Sequence, residues 1–438
     1  MQNQLTAQLR LLVVFTGLLG ASISFLGAQA EGVTGPPAGF KPLFNGKDLD
    51  GWFGHGTKDP RTLWAMSDDE LKAHQEKTME DVNKHWSVKD GVLINDGHGL
   101  YLTTKKNYGD FELLLDYKTV AKADSGIYLR GVPQVQIWDS TEEAKFKLGA
   151  NKGSGGLWNN RTKIGKDPLH KMDKPFGEWN HFHIFMIGER VTVSLNGKVV
   201  VNNAPMDNFF DKENPIFPRG PIQLQTHGGE IQWRNIFIRE IGSEEANRSL
   251  QSHADIGFTS LFNGRDLSNW QGAVDNYEVR EGTIACKAGK GGTLLTMDEY
   301  NDVAFRFEFK LPPGGNNGVA LRAPIKGDPA WTGFEIQILD DGHPKYKDLK
   351  PWQFHGSVYG LLAAKKGFLR PTGEWNYQEI TLKGSHIRVE LNGTTIVDQD
   401  LSQLENKEHK GLARTGGYVG FAGHSDPIQM RNVRIKKL

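Results

Sequence analysis

Residues 177–200 read GEWNHFHIFMIGERVTVSLNGKVV, and residues 373–396 read GEWNYQEITLKGSHIRVELNGTTI. Each stretch holds two short runs of alternating apolar and polar residues followed by Asn-Gly, at 196–197 and 392–393. Alternation with a period of two is the signature of a half-buried strand, and Asn-Gly is the preferred pair where a two-residue hairpin needs positive φ at both positions. Working outward, PLFNGKDLDGW (42–52) returns as SLFNGRDLSNW (260–270), DSGIYLRG (124–131) as NNGVALRA (316–323), and HGGEIQWRNIFI (227–238) as HSDPIQMRNVRI (424–435). The order never changes, so the chain is a tandem duplication. Many short strands with few helices predict an all-β fold of two tandem jelly-roll β-sandwiches, at 37–241 and 256–438. The segment 242–255 is polar, shows no apolar periodicity and reads as the linker. One helix is expected, in SDDELKAHQEKTMEDVNKHW (67–86), where Ser67 and Glu70 form a capping box. The second copy has no equivalent, so the helix reads as an insertion decorating a loop, with a lid or an oligomer contact as the alternatives.

The 438 residues balance 52 Lys and Arg against 52 Asp and Glu. That balance offers no pull toward nucleic acid or anionic lipid. Eleven Trp and 52 Gly suit a turn-rich β protein that presents flat indole faces to a flat ligand such as a sugar ring. Residues 1–30 read as an export signal: Arg10, the apolar run LLVVFTGLLGASISFLG and the cleavage motif Ala28-Gln29-Ala30. Its removal takes away one base and no acid, leaving a net charge of −1 on a periplasmic or secreted chain that needs no membrane. Cys286 is the only cysteine, so stability must rest on the cores. The sequence sets no oligomeric state. No cofactor is expected; loop Asp and Asn residues could hold a structural Ca²⁺, although no loop spells an ion site.

The segment EIQILD (335–340) places Glu335 and Gln337 on one strand face, and a bulge could add Asp340. The first copy has Gln134, Gln136 and Asp139 at these positions. Gln134 cannot form a glycosyl ester and neither glutamine titrates, which excludes double displacement in the first copy and disfavours it in the second.

Taken together, LFNGKDLDGW, DSGIYLRG…QVQIWD, GSGGLWNN…DPLHKMDKPFGEWN and GPIQLQTHGGEIQWRNIFIRE resemble the bacterial 3-keto-disaccharide hydrolase family, over residues 37–241 and again, with the same motif order, over 256–438. The resemblance implies a concanavalin A-like jelly roll and an exported enzyme acting on glycosides already oxidised to a ketone at carbon 3. Such a ketone acidifies the proton on carbon 2. A base can then remove it and the glycosidic oxygen leaves by elimination, after which water adds back. This needs a base, a stabiliser for the enolate and a proton donor, and no nucleophile. Asp139 and Asp340, with Glu335 as a further acid, are candidates for the base or for a group orienting it. His227 and His424, each just before a late strand, are acid/base candidates because imidazole titrates near working pH. Arg130 and Arg322 could hold an enolate or a hydroxyl. Gln134, Gln136, Gln225 and Gln337 would bind hydroxyls, and Trp138, Trp158 and Trp352 would stack on sugar.

Plainer roles compete with these. Arg130 could pair with Asp139 as structure, and His227 could be a turn residue. His181 and His183 have same-face spacing for a metal, but Tyr377 and Glu379 replace them in the second copy, so they read as a polar strand face. Trp179 and Trp375 read as core, and Arg234-Asn235 and Arg431-Asn432 as structural hydrogen-bonding pairs. The rival functions are a non-catalytic carbohydrate-binding protein and a conventional endoglucanase using Glu335 with a water.

Overall fold

The computed structural model describes residue 32 and residues 34–253, 255–404, 406 and 408–438, so the export signal lies outside the described residues. The described chain forms four antiparallel sheets, one eight-stranded and one five-stranded in each half. In the first half the five-stranded sheet runs in the order Trp52–His55, Tyr101–Thr104, Gln223–Leu224, Ser125–Leu129, Val132–Ile137. In the second half its counterpart runs Trp270–Gly272, Gly291–Tyr300, Gly417–His424, Asn316–Ala323, Phe334–Leu339. The fold is therefore a pair of jelly-roll sandwiches, as the repeat pattern predicts.

Alternation explains the layers. Along Phe111–Thr119, Phe111, Leu113, Leu115 and Tyr117 turn inward to meet Ile127, Leu129, Val135 and Ile137 of the facing sheet. The second core repeats this with Phe305, Phe307 and Phe309 against Val319, Leu321, Ile336 and Ile338. Each such side chain contributes roughly 1.5–3 kcal/mol by leaving water. The Asn-Gly pairs form the expected two-residue hairpins: Leu195 pairs with Lys198 and Leu391 with Thr394, while Asn196, Gly197, Asn392 and Gly393 all have positive φ.

The repeated motifs acquire structural reasons. In NGKDL, the Asn45 carboxamide accepts from the amides of Lys47 and Asp48, and Asp48 accepts from Asp50; Asn263 and Asp266 repeat the turn. Arg234-Asn235 and Arg431-Asn432 sit on strand bulges, with φ of 52° at both asparagines. Their arginines bond Asp116 and Glu308 and lie 4.1 and 4.0 Å over the rings of Trp179 and Trp375. Both tryptophans, expected in the core, serve as platforms for cations, with Lys118 and Lys310 each 4.8 Å from the ring centre; Trp375 is buried as expected and Trp179 only partly so. His181 and His183 are paired with Asp116 and Glu112 at 2.7 and 2.6 Å.

The inserted helix spans Asp68–His85, capped by Ser67 and Glu70. It is more than a decoration. Val82 is fully buried, the Thr78 hydroxyl accepts from the Gly54 amide, and Asp81 accepts from the Leu100 amide, so the helix covers the edge strand Trp52–His55. A second helix, Ser243–Ser252, lies in the segment that reads as linker. It is seated by few residues: Ala246 and Asn247 are buried, and Leu250 packs with Ile187 and Ile241. Asn247 also bonds Glu308 and Arg370. The halves touch directly as well, through Glu189 with Thr395 and Arg190 with Glu390.

Candidate active site

In both halves the strand carrying the predicted Glu or Gln pair is flanked by the Gly-bearing strand on one side and an irregular segment on the other. Gly126 lies opposite Gln136, and Gly318 opposite Gln337. On the far side, Leu157 bridges to Val135 and Val358 to Ile336, which sets Trp158 and Tyr359 at equivalent places beside the strand. The glycine is required because the neighbouring side chain lies across it. A Cβ at Gly318 would stand 2.0 Å from Glu335 Oε1, and one at Gly126 would stand 3.1 Å from the Gln134 side chain.

In the second half Glu335, Gln337, Asn316 and His424 line one pocket of about 160 Å³, walled by Trp331 and Tyr359 among others. His424 Nε2 stands 3.5 Å from Glu335 Oε1; the Glu335 side chain is 5% exposed and the imidazole 48%. Burial pushes the Glu335 carboxyl up, and contact with Glu335 raises the His424 imidazole. The Gln337 amide lies 3.1 Å from Asn316 and, turned toward Glu335, donates to it at 3.3 Å.

In the first half the carboxylate comes from another strand. Asp124, at the position of Asn316, places Oδ2 3.2 Å from His227 Nδ1 and 3.2 Å from Lys145 Nζ. Its Oδ1 accepts from Gln136 Nε2 at 2.8 Å, and Gln136 in turn accepts from Gln134. The hydrogen bond to Asp124 raises His227. Farther along the same face the Thr57 hydroxyl meets Tyr101 and Tyr128 at 2.9 and 3.1 Å, and Gln225 Nε2 reaches Tyr101 at 3.4 Å.

Four predicted charged residues do not join these groups. Arg130 is 1% exposed and spends its guanidinium on the carbonyls of Gly109 and Phe217 and on Asp110; it does not pair with Asp139. Arg322 does the same with the carbonyls of Asn301 and Arg414 and with Asp302. Both arginines have positive φ, 54° and 46°, so the strand end turns their side chains toward the neighbouring loops. Asp139 accepts from Thr141 N and Oγ1 with one oxygen and from Lys122 N with the other. Burial raises its carboxyl, but these bonds outweigh burial and hold it below the ordinary range. Asp340 likewise accepts from the Gly314 amide at 2.7 Å. The two aspartates brace loops.

The indoles divide. Trp158 holds the place of pocket residue Tyr359 and donates to the Leu148 carbonyl at 2.9 Å. Trp352 is not itself a wall of the 160 Å³ pocket but packs edge-on against Tyr359, centroids 4.9 Å apart. Trp138 meets Trp158 at 5.9 Å and opens on a different cavity. The reading from sequence missed Asp124 and Asn316. The signal for Asp124 was available: it heads DSGIYLRG, where the repeat changes acid to amide just as EIQILD changes amide to acid. Among the described residues, no three His, Cys, Asp or Glu side chains are grouped to hold a metal ion, and no helix is long and apolar enough to cross a membrane.

Each half thus sets a recurrent imidazole on a buried carboxylate beside the five-stranded sheet of a jelly roll. The chain belongs to the family of 3-keto-alpha-glucoside-1,2-lyase-like domains, which matches it twice, over residues 39–239 and 257–436. It is 24% identical over 237 residues, 43% of this chain and 82% of the relative, to a 3-keto-disaccharide hydrolase of Bacteroides thetaiotaomicron. Two crystal structures from Parabacteroides distasonis, provisionally assigned as glycosyl hydrolases, align at 29% and 25% identity. They cover 41% and 42% of this chain and 99% and 94% of theirs, with TM-scores of 0.38 and 0.37.

Proposed function

We propose that the protein cleaves glycosides whose sugar carries a ketone at carbon 3, removing the proton on carbon 2 and expelling the aglycone oxygen from carbon 1. The observation that carries this reading is the pairing of a recurrent, half-exposed histidine with one buried carboxylate in each half, His227 with Asp124 and His424 with Glu335. The imidazole takes the carbon-2 proton, the carboxylate behind it fixes the tautomer and stabilises the imidazolium, and the imidazolium gives that proton to the departing aglycone oxygen. With Nδ1 on Asp124, His227 presents Nε2 to substrate; with Nε2 on Glu335, His424 presents Nδ1. The amides of Gln134 and Gln337 hold neutral hydroxyls and add no competing charge, while Gln136, buried and bonded to Asp124, Gln134 and the carbonyls of Ser125 and Ile137, braces the carboxylate. The enolate stabiliser is drawn from these amides and from Lys145, since both arginines are engaged elsewhere. Water adds to the unsaturated sugar after the aglycone has left.

The family's name and that of the Bacteroides relative support the 3-keto substrate. The apolar N-terminus with Ala28-Gln29-Ala30 supports export to the periplasm or beyond. The test is incubation with a 3-keto disaccharide in deuterated water. Incorporation of deuterium at carbon 2, or an unsaturated product, is expected; cleavage with neither, or cleavage of unoxidised glucan alone, overturns the reading and favours an endoglucanase. Binding without turnover would leave a lectin.

A further inference from the structure

We propose that the first half carries a second sugar site, separate from the His227 face: a cavity of about 390 Å³ whose walls include Tyr117, Trp138, Thr141, Asp173, Phe176 and Asn180. The volume lies in the range of small-molecule sites. Tyr117 is the decisive residue. It is 1% exposed, lines this cavity, and its hydroxyl makes no close hydrogen bond. The Ser154 hydroxyl beside it accepts from the Trp138 amide at 3.0 Å and reaches Tyr117 only through a long contact. A buried hydroxyl left unpaired costs roughly 1–3 kcal/mol, which a ligand hydroxyl would relieve.

The second half shows what the same place looks like without a ligand to receive. There Phe309 replaces Tyr117, sharing its register opposite an asparagine of the neighbouring strand. His355 replaces Ser154, binding the equivalent amide and stacking on Phe309 with centroids 5.2 Å apart. Leu311 and Leu369 stand for Thr119 and Asp173, and join the apolar core. The second copy thus fills this position with Phe309, two leucines and the imidazole of His355, and the first lines it with hydroxyls, a carboxylate and an indole.

The chemistry selects a neutral pyranose. Trp138 and the partly exposed Phe176 offer apolar surface to a ring face, while Tyr117, Thr141 and Asp173 offer hydrogen bonds to its hydroxyls. Lys171 and Lys174 on the rim offset Asp173, so the cavity does not favour a cation. None of its walls belongs to the Asp124, His227 and Gln134 group, so occupancy and turnover can vary independently.

The probe is unoxidised cellobiose, which the proposed reaction cannot consume, titrated calorimetrically against the full chain and against Tyr117→Phe and Asp173→Asn. We expect one class of sites to weaken about two- to tenfold in Tyr117→Phe and further in Asp173→Asn, with kcat/KM on a 3-keto disaccharide unchanged. No measurable cellobiose binding, isotherms that neither variant alters, or an equal loss of kcat/KM in Tyr117→Phe would overturn the proposal. If Asp173→Asn lowers Tm, Tyr117→Phe alone decides, since it removes one oxygen and no packing. A null result here leaves the carbon-2 exchange test of the active site untouched.

Discussion

The two halves build the same acid and imidazole pair from different strands. The first takes its carboxylate from Asp124, ahead of strand Ser125–Leu129, and has an amide, Gln134, on the adjacent strand. The second has the amide, Asn316, at the first position and the carboxylate, Glu335, at the second. Antiparallel pairing across Gly126 and Gly318 makes the two positions neighbours in space. Duplication therefore preserved the location of one negative charge behind the histidine while its residue changed. The second pocket also holds Asp328, whose charge adds to burial in raising the Glu335 carboxyl.

The largest expected effect comes from removing both imidazoles. His227→Gln with His424→Gln should lower kcat for a 3-keto disaccharide by about 10²–10⁴-fold, the usual worth of a general base, and the single variants apportion activity between the halves. Undiminished turnover in the double variant would break the comparison at its centre.

Moving the charge sharpens it. In a chain whose second half is silenced by His424→Gln, Asp124→Asn should cost most of the remaining activity, and adding Gln134→Glu should recover part of it by installing the arrangement of the second half. The comparison fails if Gln134→Glu only deepens the loss.

A third expectation concerns the buried arginines. Arg130→Leu removes one of the two arginines on Asp110, the other being Arg370 at 3.7 Å, and leaves the Gly109 and Phe217 carbonyls without their donor, and should cost about 1–3 kcal/mol of stability. Arg322→Leu should cost less, because Asp302 is 33% exposed where Asp110 is 18%. Denaturant melts test this, with kcat of the folded fraction held near wild type; a large kcat loss at unchanged stability would return the arginines to the chemistry.

The smallest effect is a displacement on the pH axis. Both imidazoles are raised by their carboxylates, so each becomes a free base only above the ordinary histidine range. Asp124→Asn and Glu335→Gln should move the acid limb of the pH–rate profile to lower pH. The sign for stability runs the other way: a raised histidine stabilises the fold below its unfolded pKa of about 6.5, and this contribution is lost as pH rises through the folded value. An acid limb unmoved by either substitution would separate the carboxylate from the imidazole.

The recurrence of His227 as His424 was legible because a titratable residue kept amid changed neighbours stands out in a repeat. The capping box gave the inserted helix its start, since Ser67 and Glu70 satisfy orphan amides locally. Arg130 and Arg322 were misread because their positive φ, which a one-dimensional alternation does not reveal, sends them into the loops. The linker helix escaped because Ala246 and Leu250 make too narrow a stripe to register, and its stability comes from Ile187, Ile241 and Glu308 far away in sequence. Asp139 looked catalytic from its spacing, yet neighbouring amides had already claimed both oxygens.

Strand periodicity, Asn-Gly turns and the ordered repeat are local properties, and through them the chain's own letters determined that it folds as two jelly-roll sandwiches of one family. Which carboxylate faces which imidazole was decided only by sheet register, because Asp124 and His227, like Glu335 and His424, are brought together by pairings between strands distant along the chain. The same holds for the cavity beside Tyr117: what its hydroxyl meets depends on what a loop some 50 residues away does with Asp173 and Ser154. Hydrogen bonding and packing across the sandwich set that choice, and neither has a one-dimensional signature.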